Sequence, residues 1–294
     1  MGEEKNTIYH YCSIDTFYSI ISNKNIRLSD VSKTNDYMEK KWAYKKILKV
    51  FSERLIKDVF FTDRWRKIIE NIYRQLPEST LALAACFSKN GDLLSEWTKY
   101  AKDGSGVALG FDSDILTFDE NDHKIFKSEI IYSEIEQDKK VNEIVQKFLT
   151  EIDLSNKNEE DIESIIFNKV FSSLDSISST MKNPAFKEEN EIRIIYPVNI
   201  GFGMELTSKE DISEKNRKIT GTDFEISPIK YKVEDENLIL YSDLNFKNYI
   251  KKGIVNEIIL GPKCRVNEAD IRFFFNSQNY KGKIKIRKSE ASYS

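Results

Sequence analysis

Short runs of β-branched and aromatic residues recur from one end of the chain to the other, and two long stretches with helical periodicity interrupt them. Strand-forming runs on both sides of an insert must share one core, so the pattern predicts a single α+β domain over residues 1–294. We expect a split, mixed or antiparallel β-core with helical inserts at 37–76 and 135–183. The runs are TIYHYC, IRLS, TLALAACFS, GVALGF, SEIIYSE, IRIIYPV, ENLILYSD, NEIILG and KIKIRKS.

The composition excludes two broad classes of protein. Hydrophobic residues make up 40% and aromatic residues 12% of the chain, which is too much for a disordered protein. The 45 Lys and Arg against 48 Asp and Glu give a formal charge of −3. A dedicated nucleic-acid-binding protein usually has a strong basic excess, so this balance argues against that class and gives no strong nucleic-acid signal.

The three cysteines, Cys12, Cys86 and Cys264, are far apart and form no CxxC pair. With two histidines in the chain, they predict no structural zinc site, and we expect no metal cofactor. Scattered, reduced cysteines are typical of a cytoplasmic protein. The polar start MGEEKN predicts no signal peptide, and the apolar run Leu81–Phe87 is too short to span a membrane.

The glycines Gly104, Gly106 and Gly110 do not form a dinucleotide fingerprint, because they precede a strand-like run instead of following one into a helix. The chain contains no GxxxxGK[ST] motif and no GxSxG motif. These patterns exclude a P-loop nucleotide hydrolase and argue against a serine hydrolase.

The cluster EENEIR, residues 188–193, leads directly into an apolar strand. Glu189, Glu191 and Arg193 share one face if the strand begins at the cluster. One interpretation is an exposed acidic turn with an ion-paired arginine, which contributes little to stability. The other is a pair of carboxylates with a positioning arginine, which can hold a ribose hydroxyl and stabilise positive charge at a breaking glycosidic bond.

Other polar and aromatic residues allow two interpretations each. His10 lies between two tyrosines on the first strand and either faces a polar cleft or sits at a sheet edge. Trp97 and Tyr100, three apart on a predicted helix, share a face that is either core or pocket wall. Asp36 and Glu39, in a polar loop, would be required with Glu191 for a Mg²⁺-dependent nuclease, the weakest alternative.

The order of these pieces resembles the bacterial family catalogued as domain of unknown function 2971. The pieces are YHYCS, IRLS, TND, CFS, W..YA, GVALGF, E.E.RI, IILGP and a terminal KS. The resemblance extends over nearly the whole chain. Tyr37 stands where the family usually has proline, and His10 where it often has lysine or arginine.

More distantly, the same order is similar to the ADP-ribosyltransferase superfamily, which implies an enzyme that uses NAD as a substrate. The resemblance places the catalytic pair at Glu191 and Glu189. Glu191 would hold a ribose hydroxyl and Glu189 would orient or deprotonate an unknown macromolecular acceptor. Cys86 stands where the serine motif of that superfamily begins with serine or threonine.

The same resemblance implies a set of NAD-contacting residues and a role in bacterial antiviral defence or as a toxin. Ser88 would position Glu191 by a hydrogen bond, and the basic groups would contact ribose or phosphate. A non-catalytic sensor of the same fold that binds a nucleotide or a protein is the alternative. The expected NAD-binding residues are His10, Arg27, Ser88, Trp97, Tyr100 and Arg193.

Overall fold

The computed structural model describes residues 6–33, 42–43, 45–47, 49–50, 53, 80–118, 125–151, 177–199, 215–234, 236–280 and 284–293. Its strands are β1 (Thr7–Cys12), β2 (Asn25–Asp30), β3 (Thr80–Ser88), β4 (Val107–Asp112), β5 (Phe126–Glu129), β6 (Glu191–Asn199), β7 (Arg217–Lys218), β8 (Glu225–Ile226), β9 (Lys230–Glu234), β10 (Asn237–Asn245), β11 (Val255–Leu260) and β12 (Lys285–Lys288). Its α-helices are α1 (Ile14–Asn23), α2 (Leu94–Tyr100), α3 (Glu134–Glu151) and α4 (Glu268–Ser277). The mixture of one large sheet and several helices confirms the α+β class.

Helices α1 and α4 begin where their capping residues predict. The hydroxyl of Ser13 accepts a hydrogen bond from the backbone N–H of Thr16, and Phe17, Ile20 and Ile21 bury one face of α1. Asn267 caps α4, and Asp270 completes a reciprocal capping box. Both helices therefore follow from local sequence.

The described strands form one mixed sheet with the order β12-β11-β4-β1-β3-β2-β10-β8-β7. In addition, β6 pairs with β3 and β5, and β9 pairs with β10. Strand β4 is buried along its whole length, as expected for a central strand covered on both faces. Gly106, just before β4, admits no side chain, because a Cβ atom there would lie 2.1 Å from the carbonyl oxygen of Cys12.

The sheet forks along one edge of β3. Within the described strands, β3 pairs with β1 at Ser88 and with β2 at Leu83 and Ala84. On its other edge β3 pairs continuously with β6, so that Cys86 lies opposite Arg193 and Ser88 opposite Glu191. The fork leaves room between β1 and β3 beside the start of β6.

The two predicted helical inserts are described only in part. The described residues between 42 and 53 are helical, and α3 supplies the first helix of the second insert. The remaining parts, 54–76 and 152–176, lie outside the described residues. Residues 200–214 also lie outside the described residues, and residues 217–218 form β7.

The second helical insert does not extend to residue 183 as predicted. Met181 instead forms a parallel bridge with Ile131, and Asn183 caps a 3₁₀ helix that begins at Pro184. Proline suits the first position of a helix, because that position needs no backbone N–H donor. No helix among the described residues is long and apolar enough to cross a membrane.

Candidate functional site

A cavity of about 90 Å³ opens at the fork, between β1, β3, the start of β6 and helix α2. A water molecule takes about 30 Å³ of liquid, so the space is sized for a few waters or one small chemical group. Its walls are rich in charged and aromatic side chains. The residues that line it are Tyr9, His10, Tyr11, Cys86, Phe87, Glu96, Tyr100, Lys182, Glu189, Glu191 and Arg193.

Helix α2 forms one wall of the cavity and is fixed by two aromatic residues. The hydroxyl of Tyr11 accepts a hydrogen bond from the N–H of Leu93, where α2 has no capping side chain of its own. The fully buried Trp97 packs edge-on against Tyr11, with ring centroids 4.8 Å apart, and donates its indole N–H to Asp92. These contacts hold the preceding residue, Glu96, against the cavity.

Glu191, the first residue of β6, is buried and ionised. The guanidinium of Arg193, two residues along the same strand, donates Nε and Nη2 to its two oxygens at 2.6 and 2.9 Å. Burial alone would raise the pKa of Glu191, but Arg193, Lys182 and the Cys86 thiol stabilise the carboxylate and bring its pKa to about 2. Glu191 therefore carries its negative charge at physiological pH.

Lys182 joins the two carboxylates that the sequence places in one cluster. Its buried ammonium lies 2.6 Å from Oε2 of Glu189 and 3.3 Å from Oε2 of Glu191. The buried Gln137 of α3 donates its amide to the backbone carbonyl of Lys182 at 2.8 Å and so fixes this segment. Lys99, which is 37% exposed, approaches Oε1 of Glu189 at 3.0 Å from the rim.

Glu96 differs from the other two carboxylates because its Oε1 atom is buried without a hydrogen-bond partner among the described residues. Desolvation, with the nearby negative charges of Glu189 and Glu191, raises the pKa of Glu96 to about 8, although Lys182 and Lys99 oppose the change. At neutral pH this side chain is mostly protonated. The cavity therefore holds the neutral acid Glu96 beside the ionised carboxylate of Glu191.

His10 stands in the gap of the fork. Its Nδ1 lies 2.9 Å from the carbonyl oxygen of Cys86, and a carbonyl can only accept, so Nδ1 carries the proton. Desolvation lowers the pKa of His10, although the bond to Cys86 opposes it, so the ring is neutral at physiological pH. The Cys86 thiol, where the sequence departs from the serine motif, donates a hydrogen bond to the carboxylate of Glu191.

The structure brings five of the eight sequence-predicted residues to the cavity: His10, Tyr100, Glu189, Glu191 and Arg193. Glu189 reaches the cavity although β6 begins only at Glu191, because Asn190, between the two glutamates, adopts a left-handed conformation. Its position at the end of the 3₁₀ helix corrects the expectation that Glu189 lies on the strand.

The other three residues lie elsewhere. Ser88 is buried opposite Glu191, but its hydroxyl donates to the backbone carbonyl of Glu189 at 2.7 Å. The expected hydrogen bond from Ser88 to the Glu191 side chain is therefore not formed. Ser88 instead fixes the backbone two residues before Glu191. Trp97 belongs to the core, with Tyr11, instead of walling the pocket. Arg27 lies on the sheet surface, stacked 3.8 Å from the ring centroid of Tyr241 and ion-paired with Asp243.

Sequence reasoning missed Glu96 and Lys182. Glu96 stands four residues before Tyr100, so a helix that turns Tyr100 toward a cavity turns Glu96 the same way. That spacing was a usable signal. Lys182 gives no comparable signal, because a lone lysine before Asn183-Pro184 looks like any solvent-exposed lysine.

The residues required for a Mg²⁺-dependent nuclease do not assemble in the described structure. Asp36 and Glu39 lie outside the described residues, and both oxygens of Glu191 accept hydrogen bonds from cationic side chains. Within the described ranges, no group of three or more His, Cys, Asp or Glu side chains is arranged to hold a metal ion.

A family model described as a protein of unknown function, DUF2971, matches residues 96–194, about a third of the chain. The match supports the family resemblance over this segment. The segment contains the charged groups of the cavity, from Glu96 to Arg193, whereas His10 and Cys86 lie outside it. No curated protein and no solved structure matches the chain.

Proposed function

We propose that this chain is an ADP-ribosyltransferase-like enzyme that breaks the glycosidic bond between the nicotinamide and the ribose of NAD. The observation that carries the proposal is the ionised, buried carboxylate of Glu191, held by Arg193 at the wall of a small cavity. It also rests on the similarity of the motif order to the ADP-ribosyltransferase superfamily.

The chemistry requires a fixed negative charge at the sugar. When the C1′–N bond breaks, the electron pair goes to the ring nitrogen, nicotinamide leaves as a neutral molecule, and the ribose becomes oxocarbenium-like. Glu191 would stabilise that positive charge and accept a hydrogen bond from a ribose hydroxyl. An oriented carboxylate needs little reorganisation as the charge develops, and this is the usual source of electrostatic catalysis.

The size of the cavity limits which part of NAD can enter it. Pockets that hold a whole drug-sized ligand measure about 300–1,000 Å³, several times the volume found here. In our proposal only the ribose of NAD enters the cavity, and the nicotinamide and the diphosphate lie outside, the diphosphate near the exposed ammonium of Lys99. Tyr100, at the rim, would pack against the ligand. Lys99 thus takes the phosphate-binding role that the sequence had suggested for Arg27.

The test is release of nicotinamide from NAD by the full-length protein, measured by chromatography. We expect Glu191→Gln to lower the rate about 10²–10³-fold. Glu188→Gln, an exposed neighbour, is the matched control and should leave the rate unchanged. Normal turnover by a Glu191→Gln protein with the wild-type melting temperature would refute the assignment.

A non-catalytic nucleotide sensor is the second candidate. The observation that favours it is the complete engagement of Glu191, whose oxygens already bind Arg193 and Lys182. A sensor would bind NAD or ADP-ribose in a calorimetric titration and release no nicotinamide. Binding that is accompanied by nicotinamide release would favour the enzyme.

A further inference from the structure

We propose that Glu96 is the general base of this site, the group that removes the proton from the attacking hydroxyl. This inference rests on the proposed function, because it concerns the second half of the same reaction. The sequence had suggested Glu189 for the task.

The contacts of Glu189 make it unsuitable as a base. One of its oxygens lies 2.6 Å from the ammonium of Lys182 and the other 3.0 Å from that of Lys99. It would have to leave an ion pair in order to reach a hydroxyl. Because Glu189 lies between Lys182 and Lys99, its role is to hold both ammonium groups in place.

The contacts of Glu96 suit a base. Its side chain is buried at the cavity wall, and Oε1 has no hydrogen-bond partner in the described part of the chain. A buried polar atom without a partner costs free energy and is rare in folded proteins, so such an atom in a cavity suggests a place where a ligand supplies the missing contact. A hydroxyl in the cavity would supply that contact.

Charged and titratable groups face Glu96 from every element around the cavity. Desolvation by burial and the charges around the cavity together set the balance between its protonated and ionised forms, which lies near neutral pH and thus suits a general base. Glu189 and Glu191 favour the protonated form, and Lys182 and Lys99 oppose them. The groups are Lys99 and Tyr100 of α2, Tyr9, His10 and Tyr11 of β1, Cys86 of β3, and Lys182, Glu189, Glu191 and Arg193 of the segment that ends in β6.

The proposed step balances as follows. The C1′–N bond of NAD breaks and its electron pair goes to the nicotinamide nitrogen, while a bond forms between C1′ and the oxygen of water or of an acceptor hydroxyl. The proton of that oxygen passes to the carboxylate of Glu96 and then to solvent. Only ionised Glu96 can take the proton, so the rate should rise with pH.

The experiment is the pH–rate profile of nicotinamide release by the full-length wild type, Glu96→Gln and Glu188→Gln, from pH 6 to 10. We expect the wild-type and Glu188→Gln rates to rise through an apparent pKa near 8. We expect Glu96→Gln to be at least about 100-fold slower at pH 8.5, with no such rise, while its Kd for NAD changes less than threefold. Melting curves establish that each variant is folded.

The outcomes separate the two proposals. If the wild type turns over NAD and Glu96→Gln gives the same profile, Glu96 is not the base, although the transferase proposal stands. If the wild type releases no nicotinamide at any pH, the proposed function is wrong and the role of Glu96 falls with it. If Glu96→Gln does not fold, the wild type and Glu96→Asp decide. If the pH–rate profiles of the wild type and of Glu96→Asp both show no apparent pKa between 7 and 9, the inference is overturned.

Discussion

Replacing Glu96 with glutamine should change how the stability of the folded protein depends on pH, whatever the reaction. Glutamine keeps the size of the side chain but cannot ionise. In the wild type, desolvation and the nearby Glu189 and Glu191 raise the pKa of Glu96 from 4.5 to about 8 on folding. Between these values the folded chain keeps a proton that the unfolded chain releases.

The sign and the size follow from proton linkage. Because the pKa is raised in the folded state, the stabilising contribution of protonated Glu96 is complete below pH 4.5 and is lost as the pH rises to about 8. One proton corresponds to about 1.4 kcal/mol per pH unit, so from pH 5.5 to 8 the loss is about 3 kcal/mol. Above pH 8 this group adds only about 0.4 kcal/mol more.

The assay is denaturant unfolding of the wild type, Glu96→Gln and the exposed control Glu188→Gln at pH 5.5, 7 and 8.5. All other titrating groups are shared, so their contributions cancel in the difference. We expect the free energy of unfolding of Glu96→Gln to gain about 3 kcal/mol relative to the wild type between pH 5.5 and 8.5. The control should show no such gain.

Parallel curves for the wild type and Glu96→Gln, within about 0.5 kcal/mol across the pH range, would refute the reasoning. They would mean that Glu96 is already ionised in the folded protein at pH 5.5. The inference that Glu96 titrates near neutral pH would then have no basis.

Three further substitutions test the remaining geometry. Trp97→Ala should lower the free energy of unfolding by about 3–5 kcal/mol, because the ring is fully buried, and a melting temperature equal to that of the wild type would contradict its place in the core. Lys182→Met should lower the free energy of unfolding, measured with denaturant at pH 7, by about 3–5 kcal/mol, because two buried carboxylates lose their shared cation. Lys99→Met, at the rim of the cavity, should lower it by about 1 kcal/mol or less. Arg27→Ala should leave the rate of nicotinamide release unchanged. It should lower the free energy of unfolding by less than about 1 kcal/mol, because the ion pair of Arg27 is exposed. A large drop in the rate would instead place Arg27 in the site.

The sequence predicts the central strands well, because each is an apolar run that the sheet buries. It misses the short or exposed strands β7, β8 and β9, and it places β5 at 128–134 instead of Phe126–Glu129. Strands β1 and β3 occupy the residues expected, and β4 is displaced by one residue. Helix α2 is also found where its amphipathic pattern places it. In these segments burial and local pattern favour the same structure, so one sequence is enough.

The candidate site was predicted where its residues are close in the chain and missed where they are not. Glu189, Glu191 and Arg193 form a local cluster, and a local pattern can reveal it. Lys182 reaches the cavity only through pairing between distant segments, and the one local signal for Glu96 is its spacing of four residues from Tyr100. The direction of the Ser88 hydroxyl depends on where Asn190 turns the backbone, and a strand pattern does not contain that information.

The fork of the sheet has a consequence for the chain during its synthesis. Strand β2 pairs with β10 through residues such as Arg27 and Asp243, 216 positions apart, and such long-range pairing makes folding slow. At 5–20 residues per second, roughly 10–40 s separate the synthesis of His10 from that of Glu191. Until Glu191 has been made, β1 has only β3 and β4 as partners, and the edge of β3 that later pairs with β6 is open to other chains. We therefore expect the nascent protein to depend on chaperones until the wall that carries Glu191 has been made.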